Sequence, residues 1–280
     1  MSLRLKLFYG AIVGAWGGLL GWAILDLLLR FESDQPYLDA TVVGLVVGIC
    51  IGALVGGFLG LMEGTVRRAL SGIGYGLVTG LVGGVIGLLV GQALFQALGG
   101  QDYGRVAGWA IFGLGIGMGE GLAHRSARGI LYGSLGGLLG GALGGLAFTA
   151  IRNALERPTT GRAWGFALLG ALIGFFAGLI PLLFRKAWLK VVSSGRDEGK
   201  EYIVEKGVTT LGRSDKCDMI LTGDPGVQQV HVEIRQEGGG FVLNPRAPVT
   251  VNGQEVGRHI LQDEDRIGLG SVKIRFRTGR

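Results

Sequence analysis

A bundle of membrane-spanning helices followed by a small all-β domain is the fold class that this sequence predicts. Three observations carry it. The mean hydropathy is +0.45 with only 17% charged residues, too apolar for an ordinary water-soluble chain of this length. Uninterrupted apolar runs of about 20 residues recur, the length that crosses a bilayer. Beyond Lys186 the pattern changes to short segments that alternate apolar and charged positions between turn residues, as strands in water do.

Six spans are expected, at Leu7–Leu29, Thr41–Leu61, Ile73–Leu98, Val106–Leu122, Ile130–Ile151 and Ala163–Phe184. The first run is too long for a signal-peptide core and ends in charge, so it is taken as a retained span. Most of the 56 glycines fall in this half. Tyr9–Gly10, Tyr75–Gly76 and Tyr132–Gly133 each open the pattern YGx3Gx2GGx2G, while Gly56, Gly60 and Gly64, then Gly113, Gly117 and Gly121, then Gly170, Gly174 and Gly178 mark the intervening spans. The expected unit is a helical hairpin used three times, an internal repeat. Its glycine-zipper stripes let backbones approach closely enough to gain dispersion contacts that lipid cannot replace.

Arg4, Lys6, Arg67, Arg68, Arg125, Arg128, Arg185 and Lys186 fall on one side of such a bundle. The opposite loops carry Arg30, Arg105, Arg152, Arg157 and Arg162 against these eight, and on that count the positive-inside rule favours both termini in the cytoplasm. Trp22, Trp109 and Trp164 are expected as interfacial anchors at the outer ends. Glu63 and Glu120 form a candidate intramembrane polar site, since acids in spans mark ion or proton paths. Each has a basic neighbour four residues on, Arg67 and His124, the spacing of an ion pair along one helix.

Catalytic chemistry finds little footing. The string Gly113, Gly115, Gly117, Gly119 follows no strand and lacks the Lys and Ser/Thr of a phosphate loop. His124, His231 and His259 are scattered without partners at metal-ligand spacing. Neither an enzyme, a metal site nor a cofactor is expected. Cys50 and Cys217 do not suggest a disulfide framework. The tail carries nearly balanced charge, which argues against a nucleic-acid surface.

From Trp188 short strands are expected at Leu189–Val192, Tyr202–Val204, Val208–Leu211, Met219–Leu221, Val230–Ile234, Phe241–Leu243, Val249–Val251 and Val272–Phe276. The order of landmarks, LGR at Leu211–Arg213, CDMIL at Cys217–Leu221, VHVEI at Val230–Ile234, VNG at Val251–Gly253 and LQDEDRIGLG at Leu261–Gly270, resembles a forkhead-associated (FHA) domain. The fold expected for the chain is thus a glycine-rich six-span domain at 1–186 and an FHA-like β-sandwich at 187–280.

That resemblance implies phosphothreonine recognition by loops at one end of the sandwich. It assigns Arg213, Ser214, Gln228 and Asn252 to partner binding, and Gly212, His231 and Gly253 to the loop architecture, while Asn252–Gly253 also reads as the tight turn of a hairpin. Two positions depart from the family pattern. Gln228 stands where a phosphate-donating serine is usual, and Ala247–Pro248–Val249 stands where the family has asparagine, glycine and threonine. A module that binds an unmodified protein surface, or its own membrane half, therefore stays open beside the phosphopeptide reader. By analogy with the family, the location is a bacterial inner membrane. Two functions follow: an adaptor that recruits a protein partner, or a channel or transporter regulated by its cytoplasmic domain. Self-association is compatible with either.

Overall fold

The computed structural model describes residues 3–31, 33–62, 65–155 and 158–279. The chain divides into two compact units, Arg4–Leu183 and Phe184–Arg280.

The first unit holds six helices: α1 (Leu3–Trp22), α2 (Pro36–Met62), α3 (Val66–Ala97), α4 (Asp102–Ala123), α5 (Ala127–Ala154) and α6 (Pro158–Leu183). A π-helical turn, Ala23–Leu28, prolongs α1. All six are long and apolar enough to cross a membrane. Side-chain caps set two of the starts. Thr65 accepts from the Arg68 N–H at 3.4 Å, and Ser126 accepts from the Gly129 N–H at 3.0 Å, each satisfying a donor that the first helical turn leaves open. Of the expected Glu63–Arg67 pair, Arg67 lies in the first turn of α3. Glu63 itself, with Gly64, lies outside the described residues.

The even helices are central. α2, α4 and α6 touch one another, and Val47 with Ile51, Phe112 with Ile116, and Leu169 with Ile173 are buried in one apolar cluster. The pairs are four residues apart, so each helix presents two successive turns to the centre. Each odd helix is wedged between two even ones, and its two glycine stripes explain how. On α3, side chains at Gly76, Gly80 and Gly84 would strike the carbonyl oxygens of Gly52, Gly48 and Gly44 on α2, while Gly83 and Gly87 lie against Gly115 and Phe112 on α4. On α5, Gly133, Gly137 and Gly141 meet Gly117, Gly113 and Trp109 of α4, and Gly140 and Gly144 meet Ile173 and Leu169 of α6. On α1, Gly10, Gly14 and Gly18 meet Gly174, Gly170 and Phe166 of α6, and Gly17 and Gly21 meet Ile51 and Val47 of α2. The first helix therefore closes a ring with the last.

These contacts revise two expectations. Gly52, Gly117 and Gly174 are the residues that meet the tyrosine–glycine positions. Counted from them, Glu120 corresponds to Val55 and Ala177, so Glu63 is not its counterpart. Trp109 is no interfacial anchor. It is 7% exposed and packs against Phe112, Phe148 and Phe166, in space left by Gly145, where a Cβ would stand 2.7 Å from the indole. Trp164, by contrast, is 64% exposed.

The second unit is a sandwich of two sheets with one core. Eleven strands are numbered in chain order: β1 (Ala187–Val191), β2 (Glu201–Ile203), β3 (Val208–Gly212), β4 (Met219–Ile220), β5 (Val232–Glu237), β6 (Gly240–Pro245), β7 (Thr250–Val251), β8 (Gln254–Glu255), β9 (His259–Leu261), β10 (Arg266–Leu269) and β11 (Val272–Thr278). One sheet has the order β2-β1-β11-β10-β7-β8 and the other β4-β3-β5-β6-β9. Alternation along β1 and β11 places Leu189, Ile274 and Phe276 in the core, where they meet Leu211, Ile234 and Leu243 of the opposite sheet. Of the eleven, β8, β9 and β10 were not expected from the sequence.

Candidate partner-binding site

Three loops of the sandwich are cross-linked by backbone and imidazole: β3–β4, β4–β5 and β6–β7. Arg213 N–H donates to the Gln228 carbonyl at 2.9 Å and Ser214 N–H to the Gln229 carbonyl at 3.0 Å, which locks the first two together. Gly212 is required at that junction. A Cβ there would strike the Gln229 carbonyl and lie 2.9 Å from Val230 Cα, so only glycine lets the backbones come this close.

His231 braces the assembly. It is buried, its Nδ1 accepts from the Gln228 N–H at 3.0 Å, and its Nε2 lies 3.0 Å from the Pro248 carbonyl oxygen. Because the Gln228 amide can only donate, Nδ1 is the acceptor and the proton resides on Nε2, which donates to Pro248. One ring thus spans the β4–β5 and β6–β7 loops.

On this frame the side chains of Arg213 and Gln228 are exposed and that of Ser214 is half-buried. Arg213 Nη1 touches the Pro225 carbonyl only at 3.5 Å, leaving most of its five donors directed outward. Ser214 Oγ accepts from the Lys216 N–H at 3.2 Å, so its own O–H remains a donor. The structure brings these three together.

Asn252 does not join them. At φ 54, followed by Gly253 at φ 87, it forms the two-residue turn between β7 and β8, with both central residues left-handed as a type I′ hairpin requires. Its amide is committed: Nδ2 donates to Asp265 Oδ1 at 2.7 Å and Oδ1 accepts from the Arg266 N–H at 2.9 Å. Glu120 lies half-buried on α4, in the other unit.

Two anchoring carboxylates escaped the sequence reading. Asp224 accepts from the Ser271 N–H at 2.6 Å, the Ser271 hydroxyl at 2.7 Å and the Gly226 N–H at 2.7 Å, tying the β4–β5 loop to the β10–β11 turn. The Ser271 amide, then Gly226 and the Ser271 hydroxyl, hold its pKa below the usual carboxylate range. Glu233 is bonded by Arg235 at 3.0 Å and by Arg246 of the β6–β7 loop. The Arg235 bond lowers its pKa, burial opposes this, and Arg246 adds to the lowering. The only cue to Asp224 was its turn string Gly223-Asp224-Pro225-Gly226.

Comparison with known proteins bears on the second unit alone. Residues 191–279 match the family described as "Inner membrane component of T3SS, cytoplasmic domain". No curated protein matches the chain. Among solved structures, the chain is similar to an FHA domain described for phosphothreonine-dependent interactions, at 28% identity over 34% of this chain and 98% of that one, TM-score 0.31. The FhaA FHA domain, solved with the intracellular domain of Rv3910, shows 30% identity over 32% of this chain and 99% of that one, TM-score 0.30. The cytoplasmic domain of the T3SS sorting platform protein PscD from P. aeruginosa shows 24% identity over 34% and 82%, TM-score 0.31. With two sheets closed by the LGR, VHVEI and VNG landmarks, the C-terminal unit is a β-sandwich of the forkhead-associated type, carried behind six long apolar helices.

Proposed function

We propose that the chain is a membrane-anchored adaptor whose sandwich lies in the cytoplasm and recruits a protein partner through the β3–β4, β4–β5 and β6–β7 loops. The carrying observation is the outward set of Arg213, Ser214 and Gln228 on loops fixed by His231. A guanidinium with a hydroxyl and an amide beside it suits a phosphorylated threonine, a group of roughly −1.5 to −2 charges with three strong acceptor oxygens. Gln228 supplies a donor where the family's serine would. Ala247 contributes none, so on this reading less of the contact comes from the third loop. The family description on residues 191–279 supports a cytoplasmic, scaffolding role for the sandwich.

The bundle is the anchor, and its six helices are read as one helical hairpin used three times. The fully buried meeting of α2, α4 and α6 through Val47, Phe112 and Leu169 supports close packing over a permeation path. The inner membrane of a bacterium, with both termini in the cytoplasm, fits the loop charges. A photo-crosslinking amino acid at Gln228 in the full chain, in native membranes, is expected to trap a discrete protein whose yield falls when Arg213 is replaced by alanine. An unchanged yield in that variant counts against the assignment.

A further inference from the structure

The bundle contains a cavity of about 250 Å³ at the end where α2, α4 and α6 begin. Its polar wall is formed by Asp39, Gln92, Arg105, Thr149, Arg152 and Arg162, and its apolar wall includes Trp109, Phe148 and Phe166. With Asp39 in the lining and Asp26 and Asp102 paired to the arginines beside it, three guanidiniums meet three carboxylates here, so what the cluster offers a ligand is guanidinium hydrogen-bond donors rather than net charge.

Among the described residues the arginines are held in place without being saturated. Arg162 is paired with Asp26. Arg105 Nη1 and Arg152 Nη2 share a single oxygen, Asp102 Oδ1, at 3.7 and 3.2 Å. Each guanidinium has five N–H donors and one carboxylate oxygen takes few of them. Arg105 Cζ also lies over the Phe95 ring, 3.8 Å from its centroid, a cation–π contact that helps to hold the guanidinium in place. A guanidinium so held, with unoccupied donors, is pre-organised for a bidentate oxyanion. Beneath it, Trp109, Phe148 and Phe166 pack ring against ring and offer an apolar floor.

We infer that this cavity binds a small organic anion, with a carboxylate or phosphate on Arg105 and Arg152 and an apolar body on the aromatic floor. The volume is below the roughly 300 Å³ at which drug-sized pockets begin, which limits the body to about one ring. A lipid phosphate reaching in from the surrounding bilayer presents the same chemistry. The proposal does not depend on the adaptor function.

The test uses the full chain in maltoside micelles, which contain no phosphate. Phenyl phosphate and benzoate are titrated beside benzyl alcohol and benzylamine, with short-chain phosphatidic acid as the lipid arm. Anions are expected to bind saturably and raise the melting temperature, and the alcohol and amine to do neither. Arg105→Gln and Arg152→Gln are each expected to weaken binding about 10- to 100-fold, the loss of a hydrogen bond to a charged group. Binding by phosphatidic acid alone upholds the oxyanion site and assigns it to a headgroup. Equal binding of the amine or alcohol, undiminished binding in both variants, or no binding by any anion overturns it. Where a variant fails to fold, the charge series on the unaltered chain decides.

Discussion

His231 donates from Nε2 to the Pro248 carbonyl oxygen at 3.0 Å, so the loop that departs most from the family pattern is still fastened to the loop that carries Gln228. Replacing His231 with alanine leaves the Gln228 amide and the Pro248 carbonyl without their partner. Denaturant unfolding of the 184–280 unit is expected to show a loss of about 1–3 kcal/mol, the cost of stranding buried polar groups. Partner binding should fall with it, because Arg213 is positioned through Gln228.

Asn252 separates turn-making from recognition. Asn252→Ala places a side chain ill-suited to φ 54 and breaks the bonds to Asp265 and the Arg266 amide, so a loss of about 1–2 kcal/mol is expected in the same unfolding assay. Peptide affinity, measured below the unfolding transition, should stay unchanged. A selective loss of affinity would return Asn252 to the binding face.

Glycines 74 and 76 sit two residues apart on α3 and face different surroundings. A Cβ on Gly74 meets nothing within 4 Å, whereas one on Gly76 would overlap the Gly52 carbonyl. Gly76→Ala should therefore push α2 and α3 apart and cost about 1–3 kcal/mol as overpacking. Gly74→Ala should be neutral or stabilise by up to about 1 kcal/mol, because alanine is the better helix former. Thermal melting of the full chain in micelles distinguishes the two.

Acid should weaken the sandwich through Asp224 and Glu233. Both have pKa values below the ordinary range in the fold, so the unfolded chain binds protons that the folded one refuses. Their contribution is complete above the ordinary carboxylate pKa and is lost as pH falls through the lowered one. The melting temperature of the 184–280 unit should hold near neutrality and fall below about pH 4. The Asp224→Asn and Glu233→Gln variants should start lower and fall less steeply. An equal acid slope in the variants would mean that other carboxylates carry the effect.

Much of the architecture was legible because it is written locally. Bilayer-length apolar runs mark six helices, and the YGx3Gx2GGx2G string holds both glycine stripes of each odd helix. Which neighbour each stripe meets is not local. The closure of α1 on α6 through Gly14 and Gly170 and the burial of Trp109 depend on helices far apart in sequence. In the sandwich, β1 and β11 alternate clearly, while β10 was hidden by Gly268, a glycine inside a strand that sits under the Thr250 hydroxyl. β8 is two exposed residues whose pairing follows from the Asn252–Gly253 turn. At the site, Arg213, Ser214, Gln228 and His231 were found through the landmarks. The cavity arginines were not, because Arg105, Arg152 and Arg162 come from three helices and look like loop charges in sequence.

The adaptor account rests on Arg213 gripping an anionic group of a protein partner, and fluorescence anisotropy tests that grip most directly. The full chain in nanodiscs is titrated against a phosphothreonine peptide library and the matching unphosphorylated threonine peptides, with Arg213→Ala in parallel. The account predicts saturable binding to a subset of phosphopeptides, weakened about tenfold or more by loss of the guanidinium. Binding that ignores both the phosphate and Arg213 would contradict it.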